Sequence, residues 1–262
     1  MNIQAFLLDI DGTLMIGNEP IPGASEVITF LIKEKIPHRF VSNGSRKSMN
    51  SVIKKLRLLN TGISDHDIYT PALAAFHYLS EKKIKTCNLL VTSELMDDFA
   101  RAGINHDPEA STVVVGDAAE NFTYEHMNSA FRSLMNDGEL IALEKDRYWK
   151  DVDGLSLSAG PFVTALEFAS GKTAVIMGKP SLNFFRYALS DLQMSPKQVA
   201  MIGDDIMTDV NGAQIAGMTG IITLTGKFKP GETDTCEVTP DHYINSIAEL
   251  PELCGMQTPS NK

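Results

Sequence analysis

Two aspartates one residue apart, Asp9 and Asp11, precede Gly12 and Thr13 where the apolar run Ala5–Leu8 ends. With a period of two along an extended chain they share one side, and Gly12 permits a tight turn after them. A second acidic group closes the run Val199–Ile202 as Gly203-Asp204-Asp205, with Asp209 about one helical turn later. Two more runs end in polar residues. Arg39–Val41 leads into Ser42-Asn43-Gly44-Ser45, and Ala174–Met177 into Gly178-Lys179-Pro180-Ser181. Five aspartates gathered bare would be untenable, since two like charges about 4 Å apart repel by about 4 kcal/mol at an effective dielectric of about 20. A cation is required. An all-oxygen donor set suits Mg²⁺, which keeps several waters and binds few carboxylates alongside a substrate phosphate.

The elements that must position these residues follow from hydropathy. Short apolar runs alternate with longer helix-period stretches, the pattern of an α/β protein with a parallel sheet. The runs Ala5–Leu8, Arg39–Val41, Leu89–Val91, Val113–Val115, Ala174–Met177, Val199–Ile202 and Gly220–Leu224 predict buried strands. Helices are predicted over Gly23–Lys35, Ser48–Leu59, Ala72–Lys82, Tyr124–Asp137, Pro161–Ala169, Leu182–Leu192 and Thr208–Ala216, the last closed by Gly217. Ligands of open α/β sheets bind at the carboxyl ends of strands. The acidic pairs, the hydroxyl-rich loop and the lysine are therefore expected to converge on one crevice. No internal repeat or Pro/Ser/Gly linker marks a domain boundary.

Each signature alone has an ordinary reading. A lone DxDG is equally a solvated turn, and Asp151-Val152-Asp153-Gly154 is one with no buried strand before it. An EF-hand fails because Gly12 is misplaced and Pro20 stands where the closing Glu belongs. Gly171-Lys172-Thr173 is no P-loop, because Leu166 occupies the required earlier glycine. The six histidines show no metal spacing. Arg147, Tyr148, Trp149 and Lys150 read equally as a substrate-contacting loop or as surface packing. Four signatures in this order, each after a strand, outweigh the ordinary reading.

Composition narrows the partners. The 262 residues are 43% hydrophobic and 21% charged, ordinary for a globular protein with room for one large domain or two small ones. Lys and Arg number 23 against 33 Asp and Glu, a net charge of −10. That balance argues against nucleic-acid or anionic-membrane binding, while a small phosphorylated molecule stays compatible with locally concentrated positive charge. Cys87, Cys236 and Cys254 are too few and too scattered for a disulfide scaffold or structural zinc site. The opening MNIQAFLLDIDGTL lacks the basic region of a signal peptide, and no apolar run spans a bilayer, so a cytoplasmic protein is expected.

Asp9-Ile10-Asp11-Gly12-Thr13, Val41-Ser42-Asn43, Gly178-Lys179-Pro180 and Gly203-Asp204-Asp205 with Asp209 resemble the four motifs of the haloacid dehalogenase-like (HAD) hydrolases, over essentially the whole chain. The stretches 153–167, 171–181 and 201–217 are similar to the type IIA, NagD-like subfamily. The resemblance implies a Rossmann-like parallel-sheet core over residues 1–79 and 175–262, with a large inserted α/β cap over 80–174 that decides which leaving group is accepted. It implies a Mg²⁺-dependent phosphatase that hydrolyses a small phosphomonoester through an aspartyl-phosphate intermediate.

In that scheme Asp9 is the nucleophile, and Asp11 protonates the leaving oxygen and later activates water. Asp9, the backbone carbonyl of Asp11, and Asp204 hold the metal. Asp209 sits behind them, orienting water or Lys179, and Asp205 is either a water-mediated ligand or a solvated turn. Lys179 neutralises Asp9 and the phosphate, while Ser42 and the Asn43 backbone N–H hold phosphate oxygens. The family usually has Thr at position 42 and Asn or Thr at 44. Ser42 keeps the hydroxyl, and Gly44 loosens the loop. The partner is a small phosphorylated metabolite, and a homodimer is compatible with everything above. Two alternatives stay open: a phosphotransferase using the same intermediate, and a non-catalytic HAD module that binds a phosphorylated ligand.

Overall fold

The computed structural model describes residues 3–151, 153–229, 231 and 237–255, so Cys236 and Val152 lie outside the described residues. The chain forms two compact units. The first comprises Met1–Ser42, Val52–Tyr69 and Phe185–Lys262, the second Asn43–Ser51 and Thr70–Phe184.

The first unit is built on β1 (Ala5–Asp9), β4 (His38–Val41), β5 (Ile68–Tyr69), β13 (Val199–Gly203), β14 (Thr219–Thr223) and β15 (His242–Ile244). They form one sheet in the order β15-β14-β13-β1-β4-β5, with every pairing parallel. β1 and β13 are buried along their whole length, which is why they read as unbroken apolar runs. Between β1 and β4 come the small antiparallel pair β2 (Met15–Ile16) and β3 (Glu19–Pro20) and the helix α1 (Ala24–Lys33). Gly23 adopts φ +87° immediately before α1, and a Cβ there would lie 2.5 Å from the Cβ of Ala248. That close approach needs glycine.

The second unit carries its own sheet, built on β6 (Thr86–Leu90), β7 (Asn105–His106), β8 (Thr112–Val115), β9 (Glu139–Ala142) and β12 (Val175–Ile176). Its order is β12-β9-β8-β6-β7, again entirely parallel. The helices are α3 (Pro71–Glu81), α4 (Ser93–Arg101), α5 (Tyr124–Met135) and α6 (Ala159–Ser170). Caps define them locally. Thr70 Oγ1 accepts from Leu73 N–H at 3.4 Å with Pro71 at the first position, and Thr123 Oγ1 accepts from His126 N–H at 3.2 Å. Val113, Val115, Ala130, Leu134, Leu140, Ala142, Val163 and Leu166 make one apolar core between the sheet and helices α5 and α6. Cys87 lies inside this unit, and burial pushes its thiol up to about 12.

Two helices cross between the units, α2 (Met49–Leu56) and α7 (Leu182–Leu192). The start of α2 is anchored within the second unit by acidic residues of α4. Glu94 accepts from Ser48 N–H at 3.2 Å and from the Ser48 and Ser51 hydroxyls at 2.7 Å each, and Asp98 accepts from Met49 N–H at 2.7 Å. Carboxylates at a helix N-terminus satisfy its open N–H groups and its dipole. The Ser48 and Ser51 hydrogen bonds hold Glu94 below the usual carboxylate range.

The α/β class with parallel sheets is as the hydropathy pattern predicts. One local detail differs, and one expected turn is present. The helix expected over Thr208–Ala216 is a π-helical turn, Ile206–Asn211, running into the short α8 (Gly212–Ile215). Asp151 N–H donates to Gly154 O at 2.7 Å between the antiparallel strands β10 (Tyr148–Lys150) and β11 (Leu155–Leu157), a turn preceded by no buried strand, as the sequence predicts. Among the described residues no helix is long and apolar enough to cross a membrane.

Candidate active site

β1 and β13 are neighbours in register, Leu8 opposite Ile202, so Asp9 and the Gly203-Asp204 segment leave the sheet side by side. Beyond Asp205 the chain tightens into the π-helical turn. Asp205 caps it, its Oδ1 accepting from Met207 N–H at 3.0 Å and Thr208 N–H at 2.9 Å. Asp209 folds back so that its Oδ2 accepts from Asp205 N–H at 3.2 Å. A Cβ on Gly203 would lie 2.0 Å from that oxygen, so glycine is obligatory for the fold-back. The outcome is a group of three buried carboxylates, Asp9, Asp204 and Asp209, with one oxygen of each within 4.8 Å of the others.

The loop after β14 completes the setting. Thr225 Oγ1 donates to Gly12 O at 2.6 Å, and Lys227 N–H donates to Asp204 Oδ2 at 2.7 Å. Cβ atoms on Gly12 and Gly226 would lie 2.0 and 1.9 Å from the same Asp204 oxygen. Asp204 is thus clasped between two backbones. Lys227 Nζ lies 3.8 Å from Asp205 Oδ2. Burial pulls this ammonium down, but the attraction of Asp204, Asp205, Asp9 and Asp209 outweighs it and raises the net value. The field here is strongly negative. Three buried hard-oxygen donors fit a divalent cation of the Mg²⁺ or Ca²⁺ kind, because such a charge cluster is costly without one. Gly226→Ala should cost roughly 1–3 kcal/mol at this clasp, read as a higher Mg²⁺ concentration for half-maximal activity. An unchanged Mg²⁺ titration would contradict the role of the clasp.

The other expected residues are placed unequally. The Asp11 carboxylate does not join the cluster; its side chain is 64% exposed and paired with Lys55 of α2. Asp205 acts as a helix cap. Ser42 directly follows Val41, the register partner of Asp9, and its N–H donates to Tyr69 O at 3.3 Å. Asn43 and Lys179 belong to the second unit, where Asn43 Nδ2 donates to Lys179 O at 3.2 Å and to Asp146 Oδ2 at 3.1 Å. Lys179 is buried at the segment after β12. Lys55, Thr225, Gly226 and Lys227 are missing from the sequence reading. Only Thr225–Lys227 had a usable signal there, being another strand-end segment of the same sheet.

Residues 6–105 match the family model described as haloacid dehalogenase-like hydrolase, and residues 176–250 match the HAD-hydrolase-like model. The chain is 40% identical over 256 residues to haloacid dehalogenase-like hydrolase domain-containing protein 2 of Rattus norvegicus, covering 94% of this chain and 96% of that protein. It is 37% identical to the phospholysine phosphohistidine inorganic pyrophosphate phosphatase of Homo sapiens, covering 96% and 94%. The chain belongs to the haloacid dehalogenase-like hydrolases. Among solved structures, a p-nitrophenyl phosphatase from Archaeoglobus fulgidus superposes with a TM-score of 0.89 at 27% identity, covering 96% of this chain and 99% of that one. NagD from E. coli K-12 shares the fold, with a TM-score of 0.87 at 24% identity over 95% and 98%. The likeness is to the type IIA branch.

Two further stretches of this HAD hydrolase take definite form in the second unit. Gly171, at φ +69°, closes α6 with its N–H on Glu167 O at 2.8 Å, so Gly171-Lys172-Thr173 is a helix C-cap. Arg147–Lys150 enters the hairpin strand β10. Tyr148 and Lys150 are exposed, and the Arg46 guanidinium lies 5.4 Å from the Trp149 ring centroid. The hairpin therefore touches the segment that begins at Asn43.

Proposed function

We propose that this HAD-type phosphoric monoester hydrolase is a Mg²⁺-dependent phosphatase that cleaves a small phosphomonoester through an aspartyl-phosphate on Asp9. The observation that carries this reading is the buried group of Asp9, Asp204 and Asp209 at the ends of adjacent strands. An Asp9 oxygen attacks phosphorus and the ester P–O bond breaks. Asp11 gives its proton to the departing oxygen, then takes one from the water that attacks the acyl phosphate, releasing inorganic phosphate and restoring Asp9. An exposed ion pair such as Asp11–Lys55 is worth about 0–1 kcal/mol, so it yields easily when Asp11 is needed elsewhere. Asp9, Asp204 and the Asp11 carbonyl would hold Mg²⁺, with Asp209 orienting water or Lys179. The bound ion supplies positive charge to the phosphoryl oxygens. Ser42, the Asn43 N–H and Lys179 hold those oxygens in place. Relatives named as a p-nitrophenyl phosphatase and as a phospholysine, phosphohistidine and pyrophosphate phosphatase favour phosphoryl hydrolysis over non-catalytic binding.

The test is a panel of sugar, nucleotide, cofactor and amino-acid phosphates and pyrophosphate, assayed with Mg²⁺ and with orthovanadate as inhibitor. The expected result is turnover of small phosphomonoesters, and absence of turnover throughout would overturn the reading. The second unit is expected to select the leaving group. Tyr148→Ala, Trp149→Ala and Lys150→Ala should then reorder kcat/KM across the panel and change vanadate inhibition far less. An unchanged ranking would clear the hairpin of a specificity role.

A further inference from the structure

Glu144 takes no part in the chemistry above, yet it is among the most enclosed ionisable groups described, at 1% exposure. It lies two residues beyond β9 in the second unit. Its Oε1 accepts from Ser158 Oγ at 2.6 Å, Ala159 N–H at 2.9 Å and Ser45 Oγ at 3.3 Å, and its Oε2 accepts from Asp146 N–H. Burial pushes this carboxyl up, and the hydrogen bonds from Ser158, Ala159 and Asp146 pull against it. A buried carboxylate is kept only where such donors repay its desolvation.

Those donors come from three separate stretches of chain. Ser45 stands two residues after Asn43, and its hydroxyl oxygen also accepts from Asp117 N–H at 2.9 Å. Ser158 and Ala159 begin α6, where Glu144 supplies the N-terminal cap that the Ser158 side chain does not. Asp146 carries the connection onward, since its carboxylate accepts from Asn43 Nδ2 and the same amide donates to Lys179 O. Three glycines allow these backbones to meet. Cβ atoms at Gly116, Gly160 and Gly178 would lie 2.8 Å from Ser45 O, 2.4 Å from Asp146 O and 2.5 Å from Leu143 O. The node is therefore packed at backbone contact from three sides.

We propose that Glu144 is a positioning residue for phosphate binding, a buried clamp that holds the Asn43–Ser45 segment and, through Asp146 and the Asn43 amide, the backbone at Lys179. This rests on the reading of Asn43 and Lys179 as phosphate-holding groups. Shape alone does not suffice for the role. Backbone N–H groups face both carboxylate oxygens, Ala159 on one and Asp146 on the other. Glutamine has the same outline but a single acceptor oxygen, so in either orientation its NH₂ meets a backbone donor.

The experiment uses the full chain with Mg²⁺ and p-nitrophenyl phosphate, comparing the unmodified protein with Glu144→Gln, Asn43→Ala, the double variant and Asp146→Ala. Far-UV circular dichroism checks folding, and amide hydrogen exchange follows Asp146 and Ala159. Glu144→Gln should raise KM and the orthovanadate inhibition constant together by about tenfold or more, the effect of one unsatisfied buried donor. Its kcat should stay within about threefold, and one of the two amides should exchange faster. The combined loss in the double variant should be smaller than the product of the two single losses, because the Asn43 amide carries part of the clamp. Asp146→Ala keeps its backbone N–H on Glu144 and removes the carboxylate that accepts from Asn43 Nδ2. It should raise the vanadate constant alike, and it decides the matter if Glu144→Gln does not fold. Unchanged KM and vanadate constants, additive losses, or a fall in kcat at constant KM would each overturn the clamp. If the unmodified protein hydrolyses nothing, the phosphatase reading falls and the clamp with it; normal hydrolysis with unchanged variants removes the clamp alone.

Discussion

Asp9→Asn is expected to abolish turnover and leave the protein folded. The substitution keeps the outline of a side chain that is 7% exposed at the end of a fully buried strand, so the sheet loses no packing. What disappears is the nucleophile. A carboxamide oxygen is far less nucleophilic than a carboxylate and cannot give a hydrolysable acyl phosphate, so the first step has no substitute within this site. Loss of a covalent nucleophile typically costs on the order of 10³-fold or more in kcat. The measurement is steady-state hydrolysis of p-nitrophenyl phosphate alongside circular dichroism, with mass spectrometry of acid-quenched protein for the phosphoryl adduct. The unmodified enzyme should show the added phosphoryl group and the variant should not. Hydrolysis by the variant at near the unmodified rate would refute the covalent route.

Removal of divalent metal with EDTA should eliminate activity, and Mg²⁺ should restore it. Asp9, Asp204 and Asp209 are buried together. A cation that binds the folded chain alone would relieve their mutual repulsion. Such a ligand also stabilises the fold, by about 2.7 kcal/mol when present at about 100 times its dissociation constant. A thermal melt should therefore shift upward with Mg²⁺ even without substrate, which separates binding from catalysis. Ca²⁺ should bind and raise the melting temperature but inhibit, because it takes more ligands in looser geometry and misplaces the Asp9 oxygen. Full activity in metal-free buffer, or a melt indifferent to Mg²⁺, would contradict the assignment of the cluster.

Much of the architecture was legible because parallel strands covered on both faces are written as unbroken apolar runs. β1, β8 and β13 are of this kind, buried at every residue. The elements that escaped notice are those whose stability is not local. β5 and β7 have two residues each and exist because a neighbouring strand is there to pair with. β9 opens on Glu139, whose carboxylate is taken up by Tyr78 and Lys82, partners from a helix far back in the chain. α4 is short and carries three acidic residues, two of which, Glu94 and Asp98, reach out to the start of α2. The π-helical turn is likewise invisible to periodicity. It differs from an α-turn by one residue of hydrogen-bond spacing, and it forms where Asp209 must reach back to Asp205 N–H.

The sequence by itself determined the inventory of the site. Spacing put Asp9 and Asp11 at one strand end and Asp204, Asp205 and Asp209 at another, and strand alternation and turn chemistry are local properties of the chain. Tertiary structure decided which of these aspartates stand together. Asp209 joins Asp9 and Asp204 in the buried group, while the Asp11 carboxylate is drawn out to Lys55 and Asp205 is spent as a helix cap. It also decided that the strand before Lys179 pairs with β9, in a different sheet from β1, β4 and β13. Glu144 became the centre of a buried hydrogen-bonded node only because Ser45, Asp146, Ser158 and Ala159 fold around it. Such groupings depend on strand order, on glycines that let backbones touch, and on hydrogen bonds between residues up to 213 positions apart. No local pattern encodes them, because the energy that holds them arises only once distant segments share one desolvated space.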